Sequence, residues 1–230
     1  MAQKKQSDKT TENRAKILIV DDHPIVRQGL AELVNHESDL EVCGQAEDAH
    51  QAMKAIKEMK PNMAVVDISL KETSGLELIK DINSQHPNLP VLALSMHDES
   101  LYAERALRAG AMGYIMKQEA TENVIVAMRR ILGGEIYVSD RMATRMVRKL
   151  VTGQTETTAS PVERLSDREL EVFHLIGRGY GTRQISERLH LSVKTIETYR
   201  AHIKDKLDLT DAAELLQHAI QWASSSGNSG

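Results

Sequence analysis

Five short apolar runs, each followed by a stretch long enough for a helix, occupy the first half of the chain. The runs are KILIVD, LEVCGQA, MAVVDI, VLALSM and GYIMK, which begin at residues 16, 40, 63, 91 and 113. Continuous apolar strands of this kind are typical of parallel sheets that helices cover on both faces. Because parallel strands are joined by right-handed crossovers, the pattern predicts an α/β doubly wound domain with a five-stranded parallel sheet.

Polar stretches divide the chain into two domains. Residues 1–15 lack apolar periodicity, which predicts a disordered tail. The Thr, Ser, Gly and Pro content of residues 151–163 is typical of a flexible linker, and residues 224–230 form a second polar tail. We therefore expect a first domain at residues 16–135, a linker at 136–162 and a second domain at 163–223.

Composition narrows the class of protein. The chain has one cysteine, Cys43, and neither a signal segment nor an apolar run near the roughly 20 residues that span a bilayer. We expect a cytoplasmic protein with no disulfide and no membrane partner. The net charge of -4 argues against indiscriminate nucleic-acid binding, so charge must be examined segment by segment.

Polar side chains follow four of the five apolar runs. Asp21 and Asp22, Asp67, Ser95 and Lys117 stand at the ends of the first, third, fourth and fifth runs. Each aspartate or the serine alone also fits an ordinary turn or helix cap, and Lys117 alone fits a solvated strand end. Together they share one edge of the sheet, where close carboxylates repel unless a cation holds them. Carboxylate oxygens suit Mg²⁺, and a lysine beside them suits phosphoryl transfer.

In combination, the segments VDDHP, VVDIS, ALSMH and GYIMK resemble the receiver domain of two-component response regulators, a flavodoxin-like fold, from residue 16 to about residue 133. The resemblance implies that Asp67 accepts a phosphoryl group from a sensor histidine kinase. It implies a Mg²⁺ site made by Asp21, Asp22, Asp67 and the backbone carbonyl of Ser69.

The same resemblance assigns roles around the phosphoryl group. Ser95 and Lys117 would bind its oxygens, and Tyr114 would be the aromatic that changes rotamer as Ser95 moves. His97, with Ser69, occupies a position that the family uses to tune the lifetime of the phosphoryl group. The loop SLKETSG, residues 69–75, departs from the common Met-Pro-Gly type, although it keeps a glycine at its end.

The second domain is predicted to be an all-α, four-helix unit. Ser166 and Glu169 form an S-x-x-E capping box, which predicts a helix from about Asp167. A short helix at about 182–189 and a turn at HLS precede a helix at 193–207, which is a helix-turn-helix pattern. A last helix, from residue 210 to about 223, places Leu216, Ala219 and Ile220 on one side, mostly for core packing.

Seven basic and three acidic side chains lie between Arg178 and Lys206, in a chain that is acidic overall. A solvated basic surface would explain this charge alone. The stretch LSDRELEVFHLIGRGYGTRQISERLHLSVKTIETYRAHIKDKLDL, however, closely resembles the LuxR-type helix-turn-helix, over about residues 161–222. The whole chain therefore resembles a transcriptional response regulator of the NarL/FixJ type.

This resemblance implies that the helix at 193–207 enters the major groove of double-stranded DNA. Base-edge contacts would come from Glu197, Thr198 and Ala201, and phosphate contacts from Lys194, Thr195, Arg200 and Lys204. The last helix would pair two copies as a homodimer on DNA, and RNA polymerase is a further partner that a promoter-binding regulator can meet.

Two other classes of protein share part of these features. A haloacid-dehalogenase-type phosphatase also uses a strand-end Asp, Mg²⁺, a hydroxyl and a lysine, but it needs a second Asp two residues after the first, where this chain has Ser69. A regulator of acyl-lactone signalling shares the second domain but has a ligand cavity in place of the acidic edge. We therefore expect no enzyme, apart from a receiver that promotes its own phosphorylation and hydrolysis.

The sequence leaves the coupling between the domains open. Phosphorylation would bias a two-state receiver, and the linker would allow it either to uncover the recognition helix or to present a dimer face. The basic segment at residues 139–150 looks helical, and it either docks between the domains or forms the ordered start of the linker.

Overall fold

The computed structural model describes residues 14–70, 74–96, 99–152 and 161–227 of the chain. The strands are β1 (Ala15–Val20), β2 (Leu40–Ala46), β3 (Met63–Asp67), β4 (Val91–Ser95) and β5 (Gly113–Met116). The helices are α1 (Pro24–His36), α2 (Ala49–Met59), α3 (Gly75–Gln85), α4 (Glu99–Ala109), α5 (Ala120–Leu132), α6 (Asp140–Thr152), α7 (Asp167–Gly177), α8 (Thr182–Arg188), α9 (Val193–Leu207) and α10 (Ala212–Gly227).

The first domain is the expected doubly wound sheet. The strands lie in the order β2-β1-β3-β4-β5, and every neighbouring pair is parallel. The fold class predicted from the apolar runs is therefore confirmed. The chain goes from β1 to β2 on one side of the sheet and from β3 to β4 on the other. A crevice therefore opens between these two connections, beyond the carboxyl ends of β1 and β3.

Alternate residues of β1 explain why its last four positions are all apolar. Ile17 and Ile19 belong to the core cluster that includes residues of α1 and α5, whereas Leu18 and Val20 belong to the cluster on the other face, with residues of α2, α3 and α4. A strand covered on both faces has no solvent side, so polar residues only flank its buried stretch. Lys16 lies at the exposed start of β1, and Asp21 follows directly after its end, at the edge of the sheet.

The loop after β3 depends on one glycine. The backbone N–H of Gly75 donates a hydrogen bond to the carbonyl oxygen of Ile68 at 2.8 Å. A Cβ atom at residue 75 would overlap the carbonyl oxygen of Asp67. Ser74 precedes it and caps α3, with its Oγ accepting from the backbone N–H of Leu76. The glycine noted in the sequence is thus required by the close return of α3 onto the end of β3.

The predicted boundaries differ from the structure at the ends of the domains. Ala15 is already in β1, and Arg14 donates a hydrogen bond to the carbonyl oxygen of Glu37 at 2.6 Å, so the predicted tail ends too late. Helix α10 continues to Gly227, four residues into the predicted C-terminal tail. The predicted linker contains α6 and a 3₁₀ turn at Pro161–Arg164. Residues 1–13, 153–160 and 228–230 lie outside the described residues.

Local signals in the second domain are confirmed residue by residue. The backbone N–H of Ser166 donates to Glu169 Oε2 at 2.7 Å and the Ser166 hydroxyl accepts from the Glu169 N–H, which completes the capping box of α7. Ser192 caps α9 by accepting from the N–H of Thr195 at 3.0 Å. The turn between α8 and α9 passes through His190, whose φ is 52°.

The buried face of α10 differs from the prediction. Leu215 and Ala219 are fully buried, whereas Leu216 and Ile220 are 41% and 44% exposed. The predicted face, with Leu216, Ala219 and Ile220 together in the core, was therefore wrong except for Ala219. The ring of Trp222 contacts that of Phe173 of α7 in a tilted arrangement, with 5.4 Å between the ring centroids.

Among the described residues, no helix is both long enough and apolar enough to cross a membrane.

Replacing Gly75 with alanine should destabilise the first domain by about 1 to 3 kcal/mol, because the new Cβ forces α3 away from the carbonyl oxygen of Asp67. Urea unfolding that monitors this domain would measure the change. Gly29, in the middle of α1, is the matched control, because nothing lies within 4 Å of its Cβ position. Gly29→Ala should stabilise by about 0.5 to 1 kcal/mol. Equal effects of the two substitutions would contradict the role of Gly75.

Candidate functional site: an acidic crevice and an exposed helix

The carboxyl ends of β1 and β3 bring three carboxylates together. The side chains of Asp21, Asp22 and Asp67, together with that of His23, offer ligand atoms that all lie within 4.8 Å of one another. The three aspartates are 1%, 7% and 1% exposed. The crevice at the point where the strand order reverses is therefore acidic, as predicted from the strand ends.

Lys117, at the end of β5, links two of these carboxylates. Its Nζ lies 2.7 Å from Asp21 Oδ2 and 2.8 Å from Asp67 Oδ2, and its side chain is 8% exposed. Its backbone N–H donates to the carbonyl oxygen of Ser95 at 2.7 Å, which holds the end of β5 beside the end of β4. Burial alone would lower the pKa of Lys117, but the charges of Asp67 and Asp21 raise it overall. The ammonium therefore stays charged.

Asp67 has an unusual environment for a carboxyl group. Burial raises the pKa of Asp67 to about 6; Lys117 opposes the rise and the charge of Asp21 adds to it. The backbone N–H of Ser69 donates to Asp67 Oδ1 at 3.1 Å, while Oδ2 receives Lys117. The two carboxylate oxygens of Asp67 thus have different partners, and the group is held in one orientation.

Ser95 and Tyr114 are placed on one face of the sheet. Tyr114 of β5 pairs in register with Ala93 of β4, and Ser95 lies two residues after Ala93 on β4. The side chains of Tyr114 and Ser95 therefore point to the same face of the sheet. They are 0% and 1% exposed. The structure brings Ser95, Lys117 and the aspartates to one edge. His97 and residues 71–73 lie outside the described residues.

His23 was missed by the sequence reasoning. Its Nδ1 atom lies 2.7 Å from Asp22 Oδ1 and 3.2 Å from Asp21 Oδ1, although the side chain is 60% exposed. The signal was its position directly after the acidic pair, in VDDHP.

The charges in the crevice do not balance. Three carboxylates surround one ammonium group, so the cluster retains excess negative charge when all are ionised. Carboxylate oxygens are the hard ligands that divalent cations such as Mg²⁺ prefer. The residues of this cluster could therefore hold a metal ion.

Helix α9 presents most of the residues predicted to meet DNA. Lys194, Glu197, Thr198 and Ala201 are exposed together, whereas the other three, Thr195, Arg200 and Lys204, are half-buried. The Thr198 hydroxyl donates to the Lys194 carbonyl oxygen at 3.0 Å. Partial burial lowers the pKa of the Arg200 guanidinium. Val193, 43% exposed, shares this helix and was not predicted.

Some of the basic residues counted in the sequence serve the domain itself. Lys206 Nζ lies 2.6 Å from Oε2 of Glu169, the carboxylate of the capping box. The guanidinium of Arg188 lies 4.2 Å from the centre of the Tyr180 ring. The positive charge that remains for a ligand is therefore smaller than the sequence count.

The first turn of α7 docks on the first domain. Asp167 forms ion pairs with Arg105 of α4 at 2.9 Å and with Lys80 of α3 at 3.1 Å. Arg105 also donates to the carbonyl oxygen of Leu165 at 2.8 Å. This contact leaves the predicted base-contact residues of α9 exposed.

A buried ion pair lies behind this contact. Arg168 Nη1 lies 2.9 Å from Glu171 Oε2, and the two side chains are 9% and 13% exposed. Burial raises the pKa of Glu171; Arg168 opposes the rise, and the charge of Asp67 adds to it. The negative charge of Asp67 thus contributes to the raised pKa of Glu171, a side chain of the second domain.

Both domains match known families. The family model described as the response regulator receiver domain matches residues 17–129, and the model described as bacterial regulatory proteins, luxR family, matches residues 163–219. The oxygen regulatory protein NreC of Staphylococcus aureus is 38% identical over 210 residues, which are 90% of this chain and 97% of NreC.

Solved structures agree with this pairing of domains. RcsB of Salmonella enterica serovar Typhimurium, bound to promoter rprA in the presence of the phosphomimetic BeF3-, aligns with a TM-score of 0.60 and 25% identity, over 90% of this chain and 99% of that one. A two-component response regulator of the LuxR family from Aurantimonas sp. SI85-9A1 is 32% identical with a TM-score of 0.56, over 60% of this chain and 99% of its own.

The substitution Lys117→Met should raise the pKa of Asp67 above about 6. The reason is that the ionised carboxylate loses the ammonium group that opposes the rise in pKa caused by burial. The test is a carbon NMR titration of the Lys117→Met variant without divalent cations, with Asp67→Asn to assign the signal. Lys60→Met removes an exposed lysine and should leave this pKa unchanged. An unaltered Asp67 titration in Lys117→Met would contradict the assigned electrostatics.

Proposed function

The chain belongs to the two-component response regulators that join a receiver domain to a LuxR-type DNA-binding domain and regulate transcription, and on this premise we propose that Asp67 is its phosphoacceptor. The observation that carries the proposal is the contact of Lys117 Nζ with both Asp67 and Asp21 inside the buried acidic crevice. The donor would be the phosphohistidine of a sensor histidine kinase.

The residues around Asp67 suit an in-line transfer of the phosphoryl group. A carboxylate oxygen of Asp67 attacks phosphorus, the P–N bond of the phosphohistidine breaks, and the imidazole nitrogen that leaves takes up a proton. Lys117 offsets the negative charge on the phosphoryl oxygens, and the Ser95 hydroxyl donates to one of them. The product is an acyl phosphate on Asp67, which water later hydrolyses. Self-phosphorylation and hydrolysis are the extent of the catalysis we propose.

We propose that the crevice binds Mg²⁺, and that its ligands are Asp21, Asp22, Asp67 and the backbone carbonyl of Ser69. The excess of carboxylates over cations in the crevice supports this choice. When bound, the ion neutralises charge on the phosphoryl oxygens and on the aspartates.

The DNA-binding role falls on α9 and α10. The exposed residues Glu197, Thr198 and Ala201 are proposed to reach base edges in the major groove of promoter DNA, because a glutamate can accept from cytosine and an alanine can contact a thymine methyl group. Lys194, Thr195, Arg200 and Lys204 are proposed to contact phosphates. The exposed Leu216 and Ile220 of α10 are proposed to pair two copies on DNA, where RNA polymerase is the next partner.

The contact between the domains supports one of the two coupling schemes. Because the base-contact residues of α9 are exposed while Asp167 is docked on Arg105, phosphorylation need not uncover them. A phosphoryl group on Asp67 would add negative charge to the domain on which Asp167 docks. We propose that this weakens the docked arrangement and frees the second domain to pair with another copy.

Incubation with acetyl phosphate and Mg²⁺ should add a single phosphoryl group to the protein, because the crevice positions Asp67 for attack. Intact mass spectrometry measures the adduct. The adduct should be absent from Asp67→Asn and from an EDTA-treated sample, and present in Asp48→Asn, which changes a cap residue outside the crevice. If the protein gains no adduct under any condition, the proposal that Asp67 is the phosphoacceptor is contradicted, whereas the assignment of the DNA-binding domain is unaffected.

The pair between Arg105 and Asp167 should contribute about 1 kcal/mol to docking, because both side chains are partly buried. Arg105→Gln and Asp167→Asn should each increase hydrogen–deuterium exchange at the α4 and α7 contact roughly fivefold, and the double variant should add little more. Arg108→Gln is the matched control on α4, since Arg108 is 72% exposed and pairs with Glu104 of its own helix. Phosphorylated wild type should exchange like the single variants. Exchange that stays unchanged in both single variants would refute the pair as a docking contact.

A further inference from the structure

Val193, the first residue of α9, is an exposed apolar side chain on the helix proposed to enter the major groove. The core cluster includes Ile196 and Ile203 of this helix, whereas Val193 is 43% exposed. Val193 and Glu197 stand at positions i and i+4, so their Cβ atoms are about 5 to 6 Å apart on the helix surface. The valine therefore borders a residue that is proposed to reach a base edge.

The start of α9 determines where this side chain lies. The Ser192 hydroxyl accepts from the backbone N–H of Thr195 at 3.0 Å, which caps the helix immediately before Val193. Side chains of a helix tilt toward its N-terminus, and recognition helices place their N-terminal residues against base edges. Valine also has one strongly preferred χ1 rotamer in a helix, so a contact through its methyl groups costs little side-chain entropy.

The three residues proposed to reach base edges offer no hydrogen-bond donor to a base. Ionised Glu197 only accepts, and Ala201 has no polar side-chain atom. The Thr198 hydroxyl has one proton, which it donates to the carbonyl oxygen of Lys194 at 3.0 Å. Acceptors select the amino groups of cytosine and adenine, whereas thymine presents an acceptor and a C5 methyl group in the major groove. These three residues can therefore select thymine only through apolar contact.

We propose that Val193 contacts the C5 methyl group of a thymine and is a specificity-determining residue for the DNA site. The inference rests on the DNA-binding function proposed above for α9. Successive base pairs are about 3.4 Å apart, so the separation of Val193 and Glu197 corresponds to one or two base pairs. The thymine is therefore expected one or two base pairs from the cytosine proposed for Glu197.

Ala201 would contact a different thymine. It stands eight residues after Val193, which is about 12 Å along the helix axis, so the two side chains do not share one base. Valine has two methyl groups where alanine has one, and it can cover more of the thymine methyl. The two contacts are therefore separable by position in the DNA.

The test compares thymine with uracil, which differs from thymine only in lacking the C5 methyl group. The full chain, with and without acetyl phosphate treatment, selects its site from a library of random duplexes. Each thymine of the selected duplex is then replaced by deoxyuridine, with symmetry-related thymines replaced together. Fluorescence anisotropy measures the affinities of the wild type, Val193→Ala and Val126→Ala. Val126 is the matched control, because it is 50% exposed and belongs to α5 of the first domain.

The wild type should bind about fourfold more weakly for each contacted methyl group that is removed. At one thymine, Val193→Ala should abolish this discrimination, because the partner of the methyl group is gone. That thymine should lie one or two base pairs from the C·G pair at which Glu197→Gln relaxes the base preference. Val126→Ala should discriminate like the wild type. Alanine has a higher helix propensity than valine, so the loss in Val193→Ala would not come from a weaker helix.

The inference for Val193 is overturned if thymine and uracil are bound equally at every position, or if Val193→Ala discriminates between them as the wild type does. An effect of Val193→Ala at a thymine further from the Glu197 position also overturns it. In each of these cases, a selected site that Glu197→Gln still alters leaves the role of α9 intact. If no sequence is selected, or if Glu197→Gln and Lys194→Gln both bind as the wild type does, DNA recognition by α9 is itself contradicted, and the inference for Val193 fails with it.

Discussion

The contact of one lysine with two buried carboxylates is the interaction on which the rest of this structure depends. Lys117 reaches Asp21 and Asp67 from the end of β5, so it ties together the ends of β1, β3 and β5. Those ends meet because the strands are parallel and covered on both faces. Without a cation at this point, three carboxylates would be desolvated with nothing to balance them, and at least one would take up a proton. The same arrangement leaves Asp67 oriented but still short of positive charge, which is the condition under which a metal ion and a phosphoryl group can be bound.

Helix α4 contacts both α6 and the first turn of α7. On one side, Glu99 and Glu104 hold α6 through Ser139 and Lys149. On another side, Arg105 holds the first turn of α7 through Asp167. A movement of α4 relative to the sheet would therefore be transmitted both to the linker helix and to the DNA-binding domain. The contacts are partly exposed ion pairs and a hydrogen bond, each worth on the order of 1 kcal/mol or less, so the docked arrangement can be shifted by a change of charge at one site.

Electrostatic charge is divided between the two domains in a way that the net charge conceals. Carboxylates dominate the crevice of the receiver, while α9 and α6 carry exposed cations. Part of the positive charge near α9 is consumed internally, since Lys206 neutralises the capping-box carboxylate Glu169. An acidic chain can therefore bind DNA without binding it indiscriminately, because the positive charge is confined to a few positions.

Much of the fold and the crevice could be predicted from the sequence, because its signals are local. Apolar runs that end in Asp21, Asp67, Ser95 or Lys117 indicate buried parallel strands and the edge where they meet, and Ser166 and Ser192 mark helix starts through caps that involve only neighbouring residues. The sequence also contains motifs specific enough to indicate both families. The predictions that were wrong concern features that depend on residues distant in the sequence.

Tertiary structure alone decided which side of α10 is buried, because Leu215 and Leu216 are equally apolar and only the position of Phe173 and Trp222 selects between them. It also decided that Arg200 is half-buried, and that Asp167 docks on Arg105 and leaves α9 open. The physical reason is the same in each case. Helix periodicity and caps are set within a few residues along the chain, whereas burial and ion pairing are set by surfaces that meet only after the chain has folded.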